Sequence, residues 1–239
     1  MIVSRVFPLP SGEPESFAAD GDAGRQRLLE LYTPPSRRWL RTNLITTVSG
    51  STVGADGTSN SLTGGADRRI LGVIRELADV VLVGAGSVRA EGYRVPRNST
   101  LAIVTATGDL SGHGIAPEDT DRVIVICPSS ASSAVEASVG RVRILGLENA
   151  PAIIPAEAIV GVLRASGFES IVCEGGPSLV GQLAAVGLVD EFCQTTSPLL
   201  GGAIGSPLGP DQVALWPVEL ESMLADDSGY LYARWAIRA

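Results

Sequence analysis

The chain contains no lysine. Its 18 basic residues are all arginine, which excludes a Schiff-base lysine and the phosphate-binding lysine of a P-loop. There is one histidine, His113, in the loop-like stretch GDLSGHGIAPEDT. A single imidazole argues against a metal centre and against a Ser-His-Asp triad, and it reads as solvated polar surface. Cysteine is scarce. Cys127, Cys173 and Cys193 each lie in an apolar, strand-like run, at spacings that fit neither a disulfide framework nor a zinc site. They read as reduced core residues. No apolar run approaches the length needed to cross a membrane. The opening MIVSRVFPLPSGEPESF has no basic region followed by an apolar one, so no signal peptide and a cytoplasmic location are expected. The net charge of −8 and a pI near 4.7 lack the clustered cations that a nucleic-acid partner needs.

What is present is a well-packed chain of 239 residues, 45% hydrophobic, enough for one α/β domain with a full core. Residues 1–36 hold prolines, acids and one amphipathic piece, GRQRLLELYTPP, and read as a cover segment; residues 37–239 read as a single domain. Strand-like WLRTNLITTVSG is followed by a long polar, glycine-rich loop, STVGADGTSNSLTGG. ADRRILGVIRELAD has helical spacing, with Thr63 or Gly64 as its start and Asp67 in its first turn. VVLVG is a wholly apolar strand, and SVRAEGYR begins a second helix with Ser87 as N-cap. LAIVTAT, DRVIVIC and RVRILGL read as strands, PAEAIVGVLRASG as a helix, SIVC as a strand, PSLVGQLAAVG as a helix and VDEFCQTTSP as a strand. VELESMLADDSGYLYARWAIR reads as a closing hairpin turning at Asp226–Gly229 and forming an antiparallel edge. Alternation of this kind predicts a mostly parallel sheet with helices on both faces.

Two glycine motifs end predicted parallel strands: Gly84-Ala85-Gly86-Ser87 and Gly175-Gly176-Pro177-Ser178. Ligands of open α/β sheets bind just outside such strand ends. Glycine lets backbone N–H groups approach a phosphate, and the helix that follows adds donors and partial positive charge. The plain alternative is a pair of tight turns. A Rossmann site fits poorly, because Arg89 breaks G-x-G-x-x-G at its third glycine. The ribose-binding acid expected after the next strand is replaced by Thr105 and Thr107, which favours a 2′-phosphorylated cofactor, NADPH.

IVCEGGPSLVGQLAAVGLVDEFCQTTSPLLGG and RELADVVLVGAGSVRAEGYR resemble the two signatures of the riboflavin-biosynthesis pyrimidine reductases, over roughly Arg38 to Gly202. The resemblance implies a dihydrofolate-reductase-like fold: three layers, α/β/α, around a mostly parallel sheet, with an antiparallel C-terminal hairpin. It implies NADPH as cofactor, a homodimer, and an unusual peptide bond between the paired glycines at the pyrophosphate. Carried over by position, the cofactor would meet Gly84, Ala85, Gly86, Ser87, Glu91, Thr105, Gly175, Gly176, Pro177, Ser178, Leu179 and Val180. Arg89 is a further candidate for the 2′-phosphate.

The implied substrate is a pyrimidine joined through an amine to ribose 5-phosphate, reduced at C1′ by hydride. The positions that match the substrate side are Asn43, Ser59, Arg75, Arg97 and Glu174. Arginine suits bidentate phosphate capture. Glu174 ends a buried strand and needs a partner, either substrate or a nearby helix. Ser49 and Glu174 are the candidate catalytic positions. The sequence departs from the family at Ser49, where an aspartate is expected, and at Ser61, where a tryptophan is expected; Asp56 is a candidate to compensate. The family's deaminase half has no counterpart here, since H-x-E and P-C-x-x-C are both missing. A pterin substrate, or a non-catalytic NADPH-binding homologue, stands beside the leading reading.

Overall fold

The structure is a computed structural model describing residues 1–9, 12, 14–151, 153–202, 206–209 and 215–238. Its centre is a sheet of 11 strands in the order β2-β1-β10-β11-β9-β3-β8-β4-β5-β6-β7. The strands are β1 (Ile2–Phe7), β2 (Glu15–Ala18), β3 (Trp39–Thr47), β4 (Val80–Gly84), β5 (Thr100–Val104), β6 (Val123–Pro128), β7 (Arg143–Leu147), β8 (Ser170–Cys173), β9 (Glu191–Ser197), β10 (Val218–Asp226) and β11 (Leu231–Ile237). From β9 through β3, β8, β4, β5 and β6 to β7 every neighbour is parallel. From β9 through β11 and β10 to β1 and β2 every neighbour is antiparallel.

The helices are α1 (Gly21–Tyr32), α2 (Asp67–Glu76), α3 (Ala85–Glu91), α4 (Ser132–Val139), α5 (Ala156–Ala165) and α6 (Pro177–Ala185). They form the two outer layers of the expected α/β/α arrangement. Leu28, Tyr32, Ile70, Val73, Ile74, Val88 and Val135, from α1 to α4, cover one face together with Val81, Val83 and Val172. Ile159, Leu163, Val180 and Leu183, from α5 and α6, cover the other together with Val80, Leu82 and Ile171. This explains why β4 is apolar at successive positions: both its faces are under helices. The three cysteines are buried and free, and burial pushes the Cys173 and Cys193 thiols up to about 12.

Several expectations change. The closing hairpin lies inside the sheet, because β1 pairs with β10 and β2 extends the edge further. Residues 1–36 therefore do more than cover the core: they add two strands. The start of α3 is Ala85, with Gly84 at the N-cap, so Ser87 lies in the first turn. Ala66 is the N-cap of α2, past Thr63 and Gly64. Helix α4 has no counterpart in the sequence reading, since its serines and alanines give only a weak periodic signal. The Gly175–Gly176 peptide is trans, not the unusual bond that the resemblance implied. His113 is half-buried; its Nδ1 accepts the Ile115 N–H at 3.2 Å and its Nε2 meets the Ser138 carbonyl at 3.3 Å, pinning its loop to α4.

Candidate active site

The two glycine turns are adjacent. β8 continues past Cys173, where the Glu174 N–H donates to the Leu82 carbonyl at 3.0 Å. Gly175 then lies directly against the end of β4: a Cβ there would overlap the Gly84 nitrogen and the Val83 Cα. Only glycine permits this approach. Gly176 has φ of +43°, the left-handed region, and a Cβ on it would meet Ser87 Oγ at 3.4 Å. The opening of α3 and the opening of α6 thus share one surface. Neither helix has a side-chain cap, so their first N–H groups are free of side-chain partners. A Cβ at Gly84 or Gly86 would project into open space. Uncapped helix starts beside bare glycine backbone fit a pyrophosphate group. Pro177, Ser178, Leu179 and Val180 form the first turn of α6; Leu179 and Val180 are buried there, so their part is to seat the helix. Ala85 is likewise buried in α3.

Glu174 finds its partner in a helix. Arg75 on α2 reaches it bidentately, Nε to Oε1 at 2.8 Å and Nη2 to Oε2 at 2.6 Å. The phenol of Tyr93, just past α3, donates to the same carboxylate and accepts from Arg75 Nη2 at 2.8 Å. The guanidinium also lies over the Tyr93 ring, 5.5 Å from its centroid. The Glu174 side chain is 6% exposed and that of Arg75 27%. Burial works against the charge on Arg75, and Glu174 more than offsets it, so its pKa is raised. Burial, and then Glu174, push the Tyr93 phenol well above its ordinary value, so it stays a donor. Tyr93 was not singled out from sequence. The signal was there: it is the sole aromatic residue between Trp39 and Phe168.

A hollow of 380 Å³ lies over the outer face of α2, lined by Arg25, Arg68, Arg69, Arg75 and Arg97 together with Glu76 and Gly72. Arg25 pairs with Glu76 and Arg69 with Asp20. Arg68 and Arg97 form no ion pair among the described residues. Arg75 and Arg97 are thus brought to one place, while Ser59 is turned to α3: its hydroxyl donates to Glu91 Oε1 at 2.8 Å, tying the long loop to that helix. Asn43 is half-buried on β3, in register with Cys193 of β9. Its neighbour Thr42 is in register with Cys173, which sets Asn43 beside Glu174.

Other expected positions are used within the fold. Ser49 Oγ donates to the Gly201 carbonyl and accepts from the Gly201 N–H, both at 2.9 Å, closing the β3 loop onto the segment after β9. Asp56 accepts from Thr58 and Ser61 inside its own loop. Thr105 is buried and its hydroxyl accepts the Gly108 N–H at 3.0 Å. Arg89 donates to the Asp109 carbonyl at 2.8 Å.

The model of a family described as the RibD C-terminal domain matches residues 38–232. A riboflavin biosynthesis protein RibD of Mycobacterium tuberculosis is 30% identical over 182 residues, 71% of this chain and 48% of that protein. The chain thus spans about half the length of the curated relatives it matches. Among solved structures, a pyrimidine reductase-like protein of Corynebacterium diphtheriae superposes with TM-score 0.74 at 20% identity, over 90% of this chain and 99% of that one. RibD of Acinetobacter baumannii gives TM-score 0.67 at 18% identity, over 84% and 58%. These two likenesses bear on the fold.

Proposed function

This chain belongs to the RibD C-terminal domain family, and we propose that it is the NADPH-dependent reductase of the riboflavin-pathway pyrimidine, 5-amino-6-(5-phosphoribosylamino)uracil. The observation that carries this reading is the joint surface of the two glycine turns, with Glu174 at its rim. When bound, the reduced nicotinamide supplies a hydride to the sugar C1′. The protein's part is to bind and orient. The backbone of Gly84–Ser87 and Gly175–Ser178 holds the pyrophosphate, and Ser87 and Glu91 flank it. Arg75, Tyr93 and Glu174 join α2, β8 and the chain after α3 into one rigid wall beside Asn43. Arg97 and Arg68, the arginines of the hollow that form no ion pair among the described residues, suit the substrate phosphate, and remote binding of that kind positions the reacting carbon.

The preference for NADPH over NADH rests on the end of β5. Thr105 and Thr107 stand there in place of an acid, and Arg89 lies beside them. The homodimer rests on an apolar groove between α6 and β9–β11, lined by Val180, Phe192, Leu208, Trp216, Trp235 and Ile237. Residues 37–239 act as one reductase domain with residues 1–36 joined to its sheet, in the cytoplasm. The test is direct: mix the protein, NADPH and the aminouracil phosphate, and follow loss of NADPH absorbance. Turnover with NADPH, and weaker turnover with NADH, is expected. Binding of NADPH without its consumption would make the chain a non-catalytic homologue, and consumption only with pterins would reassign the substrate.

A further inference from the structure

The reduction consumes a proton as well as a hydride, and the carboxylate that the family resemblance places after β3 is Ser49 here. Its hydroxyl is held by Gly201. The other carboxylates near the site are also engaged. Glu174 accepts from Arg75 and Tyr93 through both oxygens. Glu91 accepts from Ser59. Asp56 serves its own exposed loop. Asp226 accepts from the Ala66 N–H and from Tyr232. Glu191 lies between Arg41 and Arg234.

One remains. Asp67, the first residue of α2, is 6% exposed and has no ion pair among the described residues. Its helix start is fixed: the Ala66 N–H donates to Tyr232 Oη at 2.8 Å and to Asp226 Oδ2 at 3.0 Å. That tyrosine is in register with Thr195 of β9, which sets the start of α2 over the sheet face that carries Thr195. The hydroxyl-bearing side chains nearest to Asp67 are Thr195 of β9 and Thr63 of the preceding loop. Thr195 is in register with Ile45 of β3, two residues beyond Asn43. Strand spacing and rise then put the Thr195 and Glu174 Cα atoms roughly 12 Å apart, with Asn43 and Ile45 between them. Ser197, the next residue on the same face of β9, has a fully buried hydroxyl without a hydrogen-bond partner among the described residues.

We propose that Asp67 is the proton donor of the reduction, a catalytic residue standing across Asn43 and Ile45 from Glu174. The inference rests on the reductase reading above. Opening of the ribose moves the N–H proton to the ring oxygen and leaves a C1′=N imine. Hydride addition forms the new C1′–H bond, the C=N π pair passes to nitrogen, and nitrogen takes the proton of the Asp67 carboxyl. Asp67 is left as carboxylate and regains a proton from water. Its environment suits the role. Burial raises its pKa, and the nearby Glu174 adds to this, against the opposing effects of Thr195, Thr63 and Arg68. The groups that face it are Arg68 on its own helix, Glu174 after β8, Thr195 on β9, Thr63 in the loop, and Asp226, Tyr230 and Tyr232 of the hairpin.

The test has two readouts on Asp67→Asn, with Thr195→Val as the second variant. The first uses the protein without cofactor. A carboxyl whose folded pKa is raised contributes stability that is present below its ordinary value and lost as pH rises through the folded one. The melting temperature of the wild type relative to Asp67→Asn should therefore fall as pH rises from about 4 upward. The second is the pH profile of turnover. Wild-type turnover should fall at high pH as Asp67 loses its proton. In Asp67→Asn that limb should vanish and turnover drop about 10²–10⁴-fold, with NADPH affinity unchanged. Thr195→Val removes a neighbouring hydroxyl that favours the charged form and should move the limb to higher pH. Asp67→Asn with wild-type turnover and an unchanged limb, or a limb unmoved in Thr195→Val, overturns the inference and leaves the reductase reading standing. A wild type that never consumes NADPH with the aminouracil phosphate overturns both.

Discussion

Replacing Gly175 by alanine tests the joint surface on which the site is built. The added Cβ would overlap the backbone at Val83 and Gly84 and stand 2.7 Å from the Val83 carbonyl carbon. Carbon–carbon contact is best at about 3.5–4.0 Å, and the obstructing atoms are backbone in the middle of a parallel sheet, so they cannot rotate aside. Over-packing of this kind costs about 1–3 kcal/mol, and a backbone obstruction belongs at the upper end. For a chain of this size each kcal/mol lowers the melting temperature by about 2–4 °C, so a fall of roughly 6–12 °C is expected. Gly176→Ala is the control. Its Cβ meets only Ser87 Oγ, at 3.4 Å. Its cost is the left-handed backbone, roughly 1–2 kcal/mol, or about 2–8 °C. The cofactor should respond in the opposite order. Gly176 opens the α6 turn to solvent, so a side chain there stands where the pyrophosphate would approach, whereas Gly175 is buried against β4. Thermal unfolding and NADPH titration on both variants separate the two effects. A Gly175→Ala protein that melts within about 1 °C of wild type would refute the steric argument, and unchanged NADPH affinity in Gly176→Ala would refute the placement of the pyrophosphate.

Two further outcomes follow from the buried charges. Glu191 is 1% exposed and takes hydrogen bonds from Trp39 at 3.0 Å, from Arg41 at 2.6 Å and from Arg234; Glu191→Gln leaves two buried cations without their counter-ion and should cost about 3–5 kcal/mol in a denaturant titration. Burial raises the Glu191 pKa, but Arg41 and Arg234 overcome this and hold it below its ordinary value, so the stability it confers is present above about pH 4.5 and lost as pH falls through the depressed value; Glu191→Gln should flatten that acid limb, and an unaltered limb would show that another carboxylate governs it. Tyr93→Phe removes the phenol from Glu174 while the Arg75 fork remains, and should cost about 0.5–1.5 kcal/mol. It should lower turnover without altering NADPH affinity, as kinetics and titration on the same preparation would show; weakened NADPH binding would place Tyr93 on the cofactor side.

The parallel sheet, the two-sided burial of VVLVG, the hairpin and the glycine turns were legible in the sequence, because periodicity and turn chemistry are properties of neighbouring residues. Glu174 was legible as a carboxylate in need of a partner, since a charge at the end of an apolar strand is costly whatever surrounds it. Its partners were not. Arg75 is 99 residues away and Tyr93 81, and only packing of α2 and of the chain after α3 on the same sheet face brings them together. Asp67 reads locally as a favourable first-turn residue of a helix, and its burial against β9 follows from where α2 crosses the sheet. The position of the hairpin inside the sheet depends on β1, whose short segment carries no signal of its partner β10 at the far end of the chain, where Val3 pairs with Asp226. Local chemistry determined the elements and the turns; which charges face one another was decided only when distant segments closed on the same face and removed water from between them.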